Sequence, residues 1–102
     1  MHFLIGRTDN IGDVILTFPL IAKLKEYYPE SRVTMLARNY TKDMVERCVD
    51  IDHFLSIEVL KEKSEPERIA YLQSLNFDVF LPIQPDRDQT IWARKAEIPV
   101  RH

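Results

Sequence analysis

Between Arg7 and Val14 the chain reads Arg-Thr-Asp-Asn-Ile-Gly-Asp-Val, so a guanidinium, a hydroxyl, an amide and two carboxylates fall within one short segment. An apolar run suited to a strand precedes it, and an apolar periodicity suited to a helix follows. In an open α/β sheet, ligands bind at this kind of junction. Asp13, directly after Gly12 at the expected helix start, can accept the proton of a ligand hydroxyl as that oxygen attacks an electrophile. A helix N-terminus favours its charged form, which keeps it able to accept a proton but weakens it as a base. The same place in the chain also suits a plain helix cap. Asp9 and Asn10 suit bonds to their own backbone within the turn, and either could also meet a ligand. Gly12 would admit close ligand approach or a positive φ, or serve turn geometry alone. Thr8 offers a hydroxyl to a sugar or phosphate, or to a cap.

Three arginines extend this chemistry. Arg7 ends the first strand candidate, Arg38 follows the second, and Arg87 lies in a Pro-bounded polar loop, residues 82–88, after the fourth. Parallel strands would bring them to one sheet edge, where guanidiniums suit the carboxylate or phosphate oxygens of an acidic ligand. An internal or solvated pair is an equal alternative for Arg7, and Arg94 is expected at the surface. His2, His53 and His102 stand apart with no second ligand at metal spacing, so no metal site is expected. Trp92 and Ile91 read as packing residues. Cys48 is the single cysteine and cannot form an internal disulfide; among Val45 and Val49 it is expected to be buried, which fits a reducing compartment. Gly6 and Gly12 match neither the dinucleotide fingerprint nor the P-loop, which argues against a nucleotide-binding module.

Strand candidates over 2–6, 32–37, 53–57 and 77–81 alternate with helical patterns. Val14, Ile15, Phe18, Ile21, Ala22 and Leu24 form the first helical face, with Pro19 predicting either a bend or a regular helix that starts late. Residues 41–49 suit a short helix with Met44, Val45 and Cys48 inward. Ser64 with Glu67 forms a capping box, with Pro66 in the first turn, ahead of Ile69, Leu72 and Leu75. A last helix is expected from Gln89 to about Ala96. This alternation predicts an α/β fold with mostly parallel strands in the order 3-2-1-4. Ile98-Pro99-Val100 reads as the start of a fifth strand, and a chain that stops there is expected to be a piece of a larger domain.

At 102 residues the chain suits one small domain with a narrow stability margin. Fourteen Lys and Arg against sixteen Asp and Glu leave a net charge of −2, with both signs interspersed and no basic stripe to suggest nucleic acid. No apolar run approaches the roughly 20 residues of a membrane span, and no signal peptide heads the chain. A soluble, cytoplasmic protein is expected, one that could still meet a lipid-linked substrate at a membrane face.

The run from Arg7 to Leu20, Arg-Thr-Asp-Asn-Ile-Gly-Asp-Val-Ile-Leu-Thr-Phe-Pro-Leu, resembles the N-terminal motif of the lipopolysaccharide heptosyltransferases, glycosyltransferase family 9. The likeness extends from Phe3-Leu4-Ile5, through the Tyr-Pro before the second strand, to Ile98-Pro99-Val100-Arg101. It implies a partial Rossmann-like acceptor-side domain, residues 1–102, of a two-domain GT-B enzyme, with the donor-binding second domain absent. In that family the carboxylate matching Asp13 is the general base, while Asn10 matches a variable part of the motif; the acceptor-binding candidates in this chain are Arg7, Thr8, Asp9, Asn10, Gly12, Arg38 and Arg87. The donor would be ADP-heptose, the acceptor the acidic inner core of lipopolysaccharide, and no cofactor or metal would be needed. The isolated chain would then be inactive as a transferase. The alternative is a non-catalytic acceptor- or protein-binding module, such as a homo-oligomer.

Overall fold

The computed structural model describes residues 1–8, 10–83 and 87–101, with the backbone alone at Arg101. Among the described residues, five strands, β1 (His2–Gly6), β2 (Arg32–Ala37), β3 (His53–Ser56), β4 (Val79–Pro82) and β5 (Val100–Arg101), form one sheet in the order β3-β2-β1-β4-β5. Every pairing is parallel, with Gly6 opposite both Leu36 and Pro82. The expected 3-2-1-4 order holds, and the fifth strand candidate adds two residues beside β4.

All of β1 is buried, as an apolar run covered on both faces requires. Its residues alternate between two cores. Phe3 and Ile5, with Val33 and Met35 of β2, pack against Val14 and Ile21 of α1 (Ile11–Tyr27) and Val45 of α2 (Lys42–Glu46). Leu4 and Leu36 face the other way, onto Ile57 and Leu60 of α3 (Ile57–Glu62), Leu72 of α4 (Glu65–Ser74) and Trp92 and Ala93 of α5 (Arg87–Lys95). Each fully buried Val or Ile contributes roughly 1.5–3 kcal/mol relative to exposure. The chain winds outward from β1 through β2 to β3, then returns on the other side as β4 and β5. Strand order therefore reverses between β1 and β4, and the loops beyond their carboxyl ends flank the crevice where such sheets take ligands.

The helices depart from expectation in instructive places. α1 runs unbroken from Ile11 with Pro19 inside it, so the late-start alternative is set aside. Proline leaves the Ile15 carbonyl without its intrahelical donor, and Ile15 is solvent-exposed, where water can serve. β3 ends at Ser56, one residue short of the expected strand, because the Ser56 hydroxyl accepts from the Val59 N–H at 3.1 Å and starts α3, a helix the apolar pattern did not signal. Ser64 caps α4 as expected, accepting from the Glu67 N–H at 3.4 Å. A 3-10 turn over Asn39–Thr41 precedes α2, which stops at Glu46; Val49 is 94% exposed and Cys48 only half-buried, so the expected inward cluster reduces to Val45 with Met44 and Cys48 at its margin.

Polar ties fix the foot of the sheet. The Lys25 ammonium donates to Ser31 O (2.6 Å) and to Asp52 Oδ2 (2.8 Å), and the same carboxylate oxygen accepts from the Val33 N–H. Burial alone would raise the Asp52 pKa, but those bonds outweigh it and hold the carboxyl below its ordinary value. His2 is buried with Nε2 at 2.8 Å from Thr34 Oγ1 and Nδ1 at 3.0 Å from Leu75 O. A carbonyl only accepts, so Nδ1 carries the proton and Nε2 accepts from the threonine. Burial pushes the His2 pKa below its ordinary value. Among the described residues, no helix is long and apolar enough to cross a membrane, and no cluster of His, Cys, Asp or Glu could hold a metal ion.

Candidate functional site

The β1–α1 loop leaves the sheet at the strand-order reversal. The Arg7 N–H donates to Leu36 O at 3.0 Å, continuing the β1–β2 ladder by one residue beyond Gly6. Asn10 then caps α1. Its backbone is extended, its carbonyl takes the first helical bond from the Val14 N–H at 3.1 Å, and its side-chain oxygen accepts from the Asp13 N–H at 3.0 Å. The cap is thus Asn10 and not Asp13. Relieved of that duty, the Asp13 carboxylate points outward, 34% exposed, with Oδ1 at 3.5 Å from a nitrogen of the 20%-exposed Arg7 guanidinium.

In this structure the Arg7 guanidinium pairs with that carboxylate, and both groups remain partly exposed on the rim. Gly12 lies within α1 with an ordinary negative φ, so the expectation of a positive φ there is corrected; a Cβ at Gly12 would stand 3.3 Å from the Asn10 cap oxygen. Arg38 is exposed at the carboxyl end of β2, and its carbonyl accepts from both the N–H (3.0 Å) and the hydroxyl (2.7 Å) of the buried Thr41. Arg87 is the first residue of α5 and not part of a loop, because that helix begins two residues earlier than its apolar pattern. Both arginines lie on the same edge of the sheet as Asp13, and among the described residues neither bonds to it. Asp9 falls outside the described residues.

Two rim residues escaped the sequence reading. Glu58 Oε1 accepts from the Asn39 N–H at 3.0 Å, tying α3 to the turn after Arg38. Gln89 of α5 is 2% exposed, and its Nε2 donates to Thr8 Oγ1 at 3.2 Å across the β1–β4 crevice. The signal for Gln89 was present: it stands three and four residues before the core positions Trp92 and Ala93, a polar side chain in an apolar stripe. Trp92 is a packing residue, as expected, with the Arg68 guanidinium 4.5 Å from its ring.

No family model matches the chain. A Haemophilus influenzae protein classed as a glycosyltransferase is 30% identical over 76 residues, which are 74% of this chain and 22% of that protein. Escherichia coli ADP-heptose LPS heptosyltransferase II superposes with a TM-score of 0.85 at 17% identity, covering 99% of this chain and 30% of that one. In fold, the chain matches the N-terminal domain of the family 9 heptosyltransferases. The family 9 glycosyl transferase of Veillonella parvula superposes with a TM-score of 0.81 at 19% identity, covering 98% of this chain and 30% of that one. E. coli heptosyltransferase WaaC, solved with ADP-2-deoxy-2-fluoro heptose, gives 0.77 at 16% identity, covering all of this chain and 36% of the enzyme. The chain therefore spans about a fifth of the length of the curated relative and about a third of these heptosyltransferase-fold structures. The fold accounts for the position of Asp13: a GT-B half presents its strand-to-helix loops along one edge of a parallel sheet, and the first of them carries this carboxylate.

Proposed function

We propose that this chain is the acceptor-side part of a longer family 9 glycosyltransferase, an inverting enzyme that transfers heptose from ADP-heptose to the inner core of lipopolysaccharide at the cytoplasmic face of the inner membrane. One observation carries the reading: Asn10 caps α1, leaving the Asp13 carboxylate partly exposed on the crevice rim beside Arg7. In this reading Asp13 takes the proton of the acceptor hydroxyl as its oxygen attacks the anomeric carbon and the ADP diphosphate leaves. Arg7, Arg38 and Arg87 meet the acceptor's acidic groups, and Thr8, Asn10 and Gly12 line its path. A second, donor-binding domain holds the leaving diphosphate and stabilises its growing charge, so residues 1–102 alone are without transferase activity.

The test is single-turnover transfer by the complete polypeptide, read as release of ADP coupled to glycosylated acceptor. Asp13→Asn keeps the shape and loses the proton acceptor, so acceptor affinity should persist while the chemical step slows by about 10²–10⁴-fold. Unchanged single-turnover chemistry in that variant removes Asp13 as the base.

A second reading, a non-catalytic module that self-associates, is favoured by the outer side of α1. Ile11, Ile15, Leu16 and Leu20 are exposed there, Leu16 at 75%. Sedimentation of the chain as a dimer that Leu16→Glu dissociates would support it, and a monomer across the micromolar range would count against it.

A further inference from the structure

We propose that Gln89 is a positioning residue for the acceptor rim, holding Thr8 so that the threonine hydroxyl presents its proton to a ligand oxygen. The inference rests on the acceptor-side reading above and adds to it a residue from the opposite face of the sheet. Thr8 belongs to the loop that leads to α1, whereas Gln89 belongs to α5, on the other side of the crevice.

Three observations converge on it. Gln89 is one of the few polar side chains buried among the described residues, and it occupies a core-facing position of its helix. Its amide nitrogen donates to Thr8 Oγ1 at 3.2 Å, a bond between residues 81 apart in sequence. The amide also fills the space over Gly6, the last residue of β1, since a Cβ built there would stand 2.3 Å from Gln89 Oε1. Glycine at the strand end is therefore what lets the α5 amide reach the loop. A hydroxyl has one proton and two acceptor lone pairs. Once Thr8 Oγ1 accepts from Gln89, its own proton is directed elsewhere, and Thr8 stands half-buried on the rim that carries Arg7 and Asp13. The Gln89–Thr8 bond thereby sets a neutral donor beside the Arg7 guanidinium, an arrangement suited to the carboxylate and hydroxyl oxygens of an acidic sugar.

The experiment compares the chain with its Gln89→Leu and Thr8→Val variants in two measurements: amide hydrogen exchange by NMR, and titration with deacylated lipopolysaccharide core oligosaccharide. Losing one such bond should speed exchange at residues 10–13 and weaken oligosaccharide binding by about three- to tenfold, while exchange in β2 and β3 stays at its original rate. The two substitutions together should do no more than either alone, because both remove the same bond. If the original chain binds no oligosaccharide, the acceptor reading fails, and the exchange data alone judge the coupling between Gln89 and the loop. Exchange at residues 10–13 that is unchanged in Thr8→Val, or that rises equally throughout the sheet in Gln89→Leu, overturns the proposal.

Discussion

Replacing Asn10 by alanine tests the arrangement that frees Asp13. The Asn10 side chain accepts from the Asp13 N–H at 3.0 Å in an exposed setting in the first turn of the helix. Loss of such a cap typically costs about 1 kcal/mol, within a range of roughly 0.5–2, and an exposed cap falls toward the middle or below because water re-bonds the freed N–H. For a domain of this length, about 1 kcal/mol corresponds to a fall in melting temperature of roughly 4–8 °C. Glycine is nearly as good a cap residue as the polar ones, costing only a few tenths of a kcal/mol, and aspartate retains both the acceptor oxygen and a favourable charge at the helix N-terminus. Thermal unfolding followed by circular dichroism should therefore order the proteins Asn10 and Asn10→Asp highest, Asn10→Gly next and Asn10→Ala lowest. An alanine variant that melts with the original chain, or above the glycine variant, would show that Asn10 does not carry the cap and would return that role to Asp13.

Gly6→Ala should destabilise the chain by about 1–3 kcal/mol, measured by urea unfolding, because its Cβ displaces the buried Gln89 amide, whereas Gly12→Ala should stay within about 1 kcal/mol of the original chain, since the helix propensity it gains is opposed by a Cβ 3.3 Å from the Asn10 cap oxygen. The depressed His2 pKa makes the unfolded chain the better proton binder, so its share of stability is complete above the ordinary value of 6.5 and is lost as pH falls through the folded-state value. Urea midpoints taken from pH 7.5 down to 5.5 should fall for the original chain and stay flatter for His2→Phe; Asp52 and Glu65, held below their ordinary values of 3.8 and 4.5, lose their contributions only at lower pH. Arg68→Leu should lower stability by about 1–3 kcal/mol in the same assay, since the guanidinium bonds Leu60 O and Lys63 O at 2.7 and 2.8 Å and stacks on Trp92; an unchanged midpoint would show that water serves those carbonyls equally well.

The alternation of short apolar runs with helical periodicities determined the α/β class and the strand order, because burial on both faces and short right-handed crossovers leave few other ways to assemble such a chain. The same local logic placed the carboxylate-bearing turn at the carboxyl end of β1, while the resemblance to family 9 made Asp13 its candidate base. What it left open was which of the polar residues in that turn would serve the backbone. Asn10 and Asp13 both suit an N-cap by composition, and the choice depends on the dihedral angles at the end of the loop, which place Asn10 in extended backbone one residue before the helix. The partner of Arg7, the short helix hidden after Ser56, and the burial of Gln89 were likewise settled only in three dimensions. Gln89 and Thr8 lie far apart in sequence and on opposite sides of the sheet; they meet because β4 pairs beside β1 and because Gly6 leaves the room between them. Patterning along a chain reports which face a residue turns inward, and only the packed sheet determines what it meets there.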